Sequence, residues 1–257
     1  MKTLSPLSVK AAFALAFRTL QPPPAKPASL LVLLHGVGGN EANLAALGAE
    51  AGSDTLVVLP RGPITLGPEA FGWFRVAFTS NGPQIVASEA DASRRTLIDF
   101  IGQLQQVHGI DAAHTVVAGF SQGGILSASV ALTAPERVAA FAVLAGRILS
   151  ELEPLLADAQ RRSTLRGYIA HGTHDDKLPV SWAQRASDRL DRLGVDHLTK
   201  LYPAGHELGA AMRADFLAWL AQGDQRWNQP GAGQQTRTYR LFRKHARSST
   251  LAKGTKP

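Results

Sequence analysis

The sequence predicts an α/β fold, a mostly parallel sheet with helices on both faces. Three observations predict it. Short apolar runs alternate along the chain with segments of helical periodicity. The runs are continuous, as in Leu30–Leu34 (LLVLL), which is the pattern of strands buried on both faces. Several runs lead straight into Gly-rich loops, and a parallel sheet carries its ligand chemistry at the carboxyl ends of its strands.

The elements follow in order. Pro22, Pro23, Pro24 and Pro27 make a stiff, non-helical lead-in over residues 1–28. Leu30–Leu34 is the first strand, Asn40–Glu50 a helix and Thr55–Leu59 (TLVVL) the second strand. Residues 60–87 are rich in Gly and Pro and hold Trp73 and Phe74. They read as a long surface excursion, the kind of loop that is often functional. Ser88-Glu89-Ala90-Asp91 has the form of a capping box, opening a helix through Val107. Ala90, Leu97, Ile101 and Leu104 recur there at helical spacing. Thr115–Phe120 is a strand, and Gln122–Ala134 a helix stopped by Pro135. Ala139–Leu144 and Leu165–Ala170 are strands, Ser181–Leu193 a helix ending at Gly194, and Leu198–Tyr202 the last strand. Asp215–Ala221 lies in the last helix. A domain over residues 29–222 results.

Charge narrows the function classes. The net charge of +7 suggests nucleic acid, but from Gly223 onward eight Lys and Arg stand against the single acid Asp224. The body therefore sums to zero, and residues 223–257 carry the whole excess. That tail has no apolar periodicity and is expected to be disordered. No nucleic-acid-binding motif accompanies it, so no specific nucleic-acid partner is expected. The chain has no cysteine, which excludes a thiolate metal site and a cysteine nucleophile. No run approaches the roughly 18 apolar residues of a transmembrane helix. Ala11–Phe17 lacks the flanks of a signal peptide, so a cytoplasmic location is expected.

Gly119-Phe120-Ser121-Gln122-Gly123 matches G-x-S-x-G between a strand and a helix, the context of a nucleophile elbow. The alternative is a serine that merely caps a helix. A serine nucleophile needs a base, and the base needs a carboxylate to orient it. Two post-strand loops offer them: His171-Gly172-Thr173-His174-Asp175-Asp176 and Pro203-Ala204-Gly205-His206-Glu207. His206 is better placed by chain order, since it follows the candidate acids, with His174 as competitor. Asp175 and Asp176 compete as orienter. Leu34-His35-Gly36-Val37-Gly38-Gly39-Asn40 is Gly-rich backbone at a strand end, able to aim N–H groups at a developing oxyanion. The residue after the nucleophile, Gln122, would supply the second N–H. A phosphate-binding loop fails there, since neither glycine signature of such loops is present.

With these loops in hand, the chain resembles the phospholipase/carboxylesterase family of α/β-hydrolases, the group that includes acyl-protein thioesterases and bacterial carboxylesterases. LLHGVGGN, LPRGP, GWF, GFSQGG, HGTHD and AGHEL carry the resemblance, in order, between Ser29 and Ala221. It implies an α/β-hydrolase fold with Ser121 as nucleophile, Asp175 rather than Asp176 or His174 as orienter, and His206 as base. It assigns the Val37 and Gln122 N–H groups to the oxyanion hole and sets Trp73 and Phe74 at the border of an acyl pocket. Arg75 stands where several relatives have Asp, and Asp176 where Pro is common; both departures bear on substrate choice. The expected activity is hydrolysis of short or medium acyl esters, with lysophospholipid or acyl-protein thioester cleavage as narrower versions. No cofactor and no metal is implied, and the partner is a small ester or acylated substrate. A homodimer is compatible with the sequence. Acyl transfer to another acceptor would use the same triad, and a silent binding module would need a broken one.

Overall fold

A computed structural model describes residues 2–79 and 82–227. Eight strands form the central sheet: β1 (Thr3–Leu4), β2 (Phe17–Gln21), β3 (Ser29–Leu34), β4 (Thr55–Pro60) and four more introduced below. Between β3 and β4 lies α1 (Ala45–Ala49). After β4 come two small hairpins, β5 (Ile64–Gly67) with β6 (Ala70–Gly72), and β7 (Val76–Thr79) with β8 (Gly82–Ile85). The remainder alternates: α2 (Ala87–His108), β9 (Thr115–Phe120), α3 (Gln122–Thr133), β10 (Ala140–Leu144), α4 (Ala159–Arg162), β11 (Arg166–Gly172), α5 (Ser181–Arg192), β12 (Asp196–Tyr202) and α6 (Ala210–Trp227). The order across the sheet is β1-β2-β4-β3-β9-β10-β11-β12. The strands from β4 to β12 are parallel, and β1 and β2 join antiparallel.

The unbroken apolar runs have a plain cause. Side chains alternate across a strand, so Leu30, Val32 and Leu34 face one layer while Leu31 and Leu33 face the other. The first layer packs Leu97 and Phe100 of α2, Ile125 and Leu126 of α3, and Leu190 of α5. The second packs Leu47 of α1 and Met212, Phe216 and Trp219 of α6. Both faces are covered, so the central strands are apolar apart from a few hydrogen-bonded polar residues such as Ser29 and Thr55, whose hydroxyls bond each other at 3.0 Å. α3 is buried along nearly its whole length, from Gln122 to Leu132, pinned between sheet and α2, with the hydroxyls of Ser127 and Ser129 satisfied by backbone carbonyls.

Five expectations change. The lead-in over residues 1–28 belongs to the domain, because β2 pairs with β4 and places Leu15, Phe17 and Leu20 in the core. The helix expected over Asn40–Glu50 shrinks to Ala45–Ala49. The Asn40 side chain accepts from the Ala42 N–H and Asn43 from the Asn40 N–H, and such local bonds hold the segment in turns. No capping box forms at Ser88, since α2 starts at Ala87 and Glu89 instead accepts from the Arg75 N–H. The excursion over residues 60–87 is two hairpins that bury Trp73 and Phe74. At the other end, α6 runs to Trp227, past the boundary drawn at Gln222, and the tail from Asn228 to Pro257 lies outside the described residues. Among the described residues no helix is long and apolar enough to cross a membrane.

Glu41 ties three of these pieces together. It is 2% exposed and accepts from Arg18 Nε of β2 at 3.0 Å and from the fork of Arg61, which follows β4, at 2.8 and 2.7 Å. Burial alone would push its pKa up. The Arg61 and Arg18 bonds outweigh burial and hold it at about 2, against an ordinary 4.5. A carboxylate with a depressed folded pKa contributes stability above its unfolded pKa and loses it as pH falls toward the folded one. Glu41→Gln is therefore expected to cost ~2 kcal/mol at pH 7. The gap between variant and wild type should close as pH falls from 4.5 toward 2. Urea unfolding at pH 7 and at pH 3 checks this; a gap that is the same at both would overturn it.

Candidate active site

The parallel strands end together, and the candidate residues sit on those ends. β9 runs into Ser121, which adopts φ 53° and ψ −115° between the strand and α3. This is a strained conformation for a residue with a side chain, costing on the order of 1–3 kcal/mol. The turn is held from both sides: the Ser121 N–H donates to the Leu144 carbonyl at 2.8 Å, and its own carbonyl accepts from Ile125 N–H at 3.1 Å. The flanking glycines are required by contact. A Cβ on Gly119 would lie 2.3 Å from the Gly123 carbonyl carbon, and one on Gly123 would lie 2.1 Å from the Leu34 oxygen. Strand, helix and the β3 end thus converge on the serine so tightly that only glycine fits.

His206 Nε2 lies 3.0 Å from Ser121 Oγ, and His206 Nδ1 lies 2.7 Å from Asp175 Oδ2. An ionised carboxylate only accepts, so Nδ1 carries the proton and the Nε2 lone pair faces the serine hydroxyl. Asp175 is buried after β11. Its Oδ1 accepts from the Lys177 and Leu178 N–H groups at 2.9 and 2.8 Å, which anchors the carboxylate from behind. Asp176 is exposed and, among the described residues, pairs with Lys177 alone, at 3.3 Å. His174 is exposed too, and its backbone N–H goes to the Ala204 carbonyl.

His171, at the end of β11, completes the anchoring. It is fully buried, with Nε2 2.7 Å from the Leu178 carbonyl and 3.2 Å from Asp175 Oδ2. Both neighbours are acceptors, so Nε2 carries the proton and the buried Nδ1 has no partner among the described residues.

His35 organises the loop after β3 in a comparable way. Its Nε2 accepts from the Gly62 N–H at 2.9 Å, and Nδ1–H donates to the Gly36 carbonyl at 2.7 Å. Burial pulls its pKa down, so the ring stays neutral as this bonding requires. Beyond it, the N–H groups of Val37 and Gln122 make no hydrogen bond among the described residues, and both residues line the same cavity as Ser121 and His206. Two free backbone donors beside a serine hydroxyl are able to stabilise an oxyanion.

That cavity has a volume of about 270 Å³, with Phe74, Val76, Pro83, Ile85 and Ile125 as its apolar wall. Phe74 lines it. Trp73 does not line it. The Trp73 ring is fully buried, and its Nε1–H donates to the His35 carbonyl at 3.0 Å. A large aromatic with one donor is most stable where its N–H finds a carbonyl, and here that lies behind the site. The Gln122 side chain joins wall to elbow: Oε1 accepts from the Trp73 N–H at 2.7 Å, and Nε2 donates to the Phe74 carbonyl at 2.6 Å. Residue-type patterns mark Gln122 for its backbone alone, and this side-chain clamp had no sequence signal.

Comparison with known proteins points to a family. The family model described as Phospholipase/Carboxylesterase matches residues 16–221. The chain is 31% identical over 179 residues to esterase YpfH of Escherichia coli (strain K12), covering 67% of this chain and 73% of that protein. It is 28% identical to acyl-protein thioesterase 1 of Mycosarcoma maydis, covering 64% of this chain and 76% of that one. Among solved structures, esterase PE8 superimposes with a TM-score of 0.69 at 27% identity, over 78% of this chain and 95% of its own. A carboxylesterase from Mesorhizobium loti gives 0.72 at 23% identity, over 84% and 99%, a likeness of fold.

Proposed function

The chain belongs to the phospholipase/carboxylesterase family, and from that premise we propose that it hydrolyses carboxylic esters or thioesters of short to medium acyl chains through an acyl-enzyme on Ser121. The observation that carries the proposal is the continuous relay from Ser121 Oγ through His206 to Asp175, at 3.0 and 2.7 Å. His206 Nε2 takes the hydroxyl proton as Oγ attacks the acyl carbon. The oxyanion that forms is held by the N–H groups of Val37 and Gln122. Collapse breaks the bond to the leaving alcohol or thiol, which receives the proton from His206. Water then attacks the acyl-enzyme, giving its proton to His206, and the acid departs as Oγ regains a proton. Asp175 keeps the imidazole in the accepting tautomer throughout and stabilises it when charged.

The cavity volume of about 270 Å³ sits at the low edge of ligand cavities, which run from about 300 Å³ upward. That favours a short acyl chain over a long lipid tail. The test is labelling with a fluorophosphonate followed by mapping of the modified residue. Modification at Ser121, absent in Ser121→Ala, is the expected result. Labelling elsewhere, or none in a folded sample, would overturn the assignment.

A further inference from the structure

Arg147 shares the cavity with Ser121 and His206. It follows β10 through Ala145, whose φ is 51° and whose N–H donates to the Ala170 carbonyl at 2.7 Å. Gly146 packs so closely on the elbow that a Cβ there would lie 3.0 Å from the Ser121 carbonyl oxygen. The arginine therefore starts from a backbone fixed against the nucleophile. It is 9% exposed, and among the described residues no oxygen accepts from its guanidinium. Nε is sealed without an acceptor, and the group lies over the Trp182 ring at 4.7 Å. Glu151 is felt only through space. Arg162, the other arginine this buried among the described residues, also has a sealed Nε, but its terminal nitrogen donates to the Ala157 carbonyl at 2.7 Å. The other cationic side chain on the cavity is Lys177, and among the described residues no Asp or Glu lines it.

We propose that Arg147 is a substrate-binding residue that pairs with a compact anionic group, a carboxylate or a phosphate, on the ester that Ser121 attacks. The proposal rests on the reading of Ser121 as nucleophile and names the class of substrate for that site. A guanidinium stays charged in proteins, and a charge removed from water without an oxygen partner is costly. Stacking on an aromatic face offsets only part of that cost. The planar fork matches the two oxygens of a carboxylate or phosphate, so the missing partner is one the substrate brings. Lys177 adds a second positive charge there.

The test compares matched esters. p-Nitrophenyl hemiglutarate puts a carboxylate on the acyl side and p-nitrophenyl valerate is its neutral partner. The butyryl ester of glycerol 3-phosphate puts a phosphate on the alcohol side, with glycerol monobutyrate as neutral partner. Wild type should prefer the charged member of one pair, and the preference should shrink as salt is raised. Arg147→Gln should lower kcat/KM on that member on the order of 10- to 100-fold, mostly through KM, and change its neutral partner little. Arg147→Lys should recover part of the preference, keeping the charge and losing the fork. The pair that responds tells carboxylate from phosphate. Binding of glutarate and of glycerol 3-phosphate to the full chain, measured by calorimetry, runs alongside and needs no turnover. Binding of one of them that Arg147→Gln abolishes supports the proposal even if none of these esters is cleaved, in which case the hydrolase reading alone is at fault. Equal losses on charged and neutral members, or no charge preference together with no anion binding, would overturn it.

Discussion

Ser121→Ala is expected to lower kcat on a soluble p-nitrophenyl ester by on the order of 10³-fold or more, with the fold intact. The residual rate would come from the Val37 and Gln122 donors and from binding, which the substitution leaves in place. Stability should barely change, for two reasons. Alanine keeps the Cβ of serine, so the strain at φ 53° is neither relieved nor increased. The hydroxyl's one side-chain partner is His206, whose ring is part-exposed and can turn to water instead. Steady-state kinetics and a melting curve on the same preparation check both halves. Near-normal turnover would remove Ser121 from the chemistry, whereas a large fall in melting temperature would leave the kinetic loss uninterpretable as catalysis.

Asp175→Asn should reduce kcat by roughly 10³- to 10⁴-fold, while Asp176→Asn stays within about threefold of wild type. The asymmetry follows from hydrogen-bond bookkeeping at each carboxylate. Asp175 Oδ1 accepts two backbone N–H groups, so an asparagine keeps its oxygen there and turns its amide toward His206 Nδ1. That amide donates, which forces the His206 proton onto Nε2. Nε2 then donates to Ser121 Oγ and can no longer accept from it. The same amide meets Nε2–H of His171, a second donor in a fully buried place. Asp176 stands in water beside Lys177, where a lost ion pair is worth little. kcat and its pH profile for both variants decide the matter, and the reverse ranking would move the orienter to Asp176.

Several features were legible because they are local. LLVLL, TLVVL and TVVAGF state by composition that they are buried on both faces, and they are β3, β4 and β9. The glycines of GFSQGG state that backbones crowd there, and the contacts at Gly119 and Gly123 are of that kind. Other features were hidden because they depend on partners far away in the chain. β2 has no strong pattern of its own and becomes a strand by pairing with β4. The segment from Ile64 to Ile85 reads as surface because Gly and Pro recur through it. Its hairpins instead fold Trp73 inward, where the His35 carbonyl and the Gln122 side chain meet it.

The sequence by itself determined the alternation of strands and helices, the elbow at Ser121 and the two loops from which acid and base had to come. These rest on periodicity and on steric demands within a few residues, which a chain carries with it wherever it folds. The tertiary structure brings Asp175 and not Asp176 to His206, a difference that residue types and spacing alone leave open. Adjacent residues share every local property and differ only in which side of the turn faces the histidine of another loop. The same holds for Arg147, one arginine among many until the packing of β10 against the elbow buries it without an oxygen beside Ser121. Burial and the absence of a partner are properties of the assembled surroundings, and no pattern of residue types along the chain encodes them.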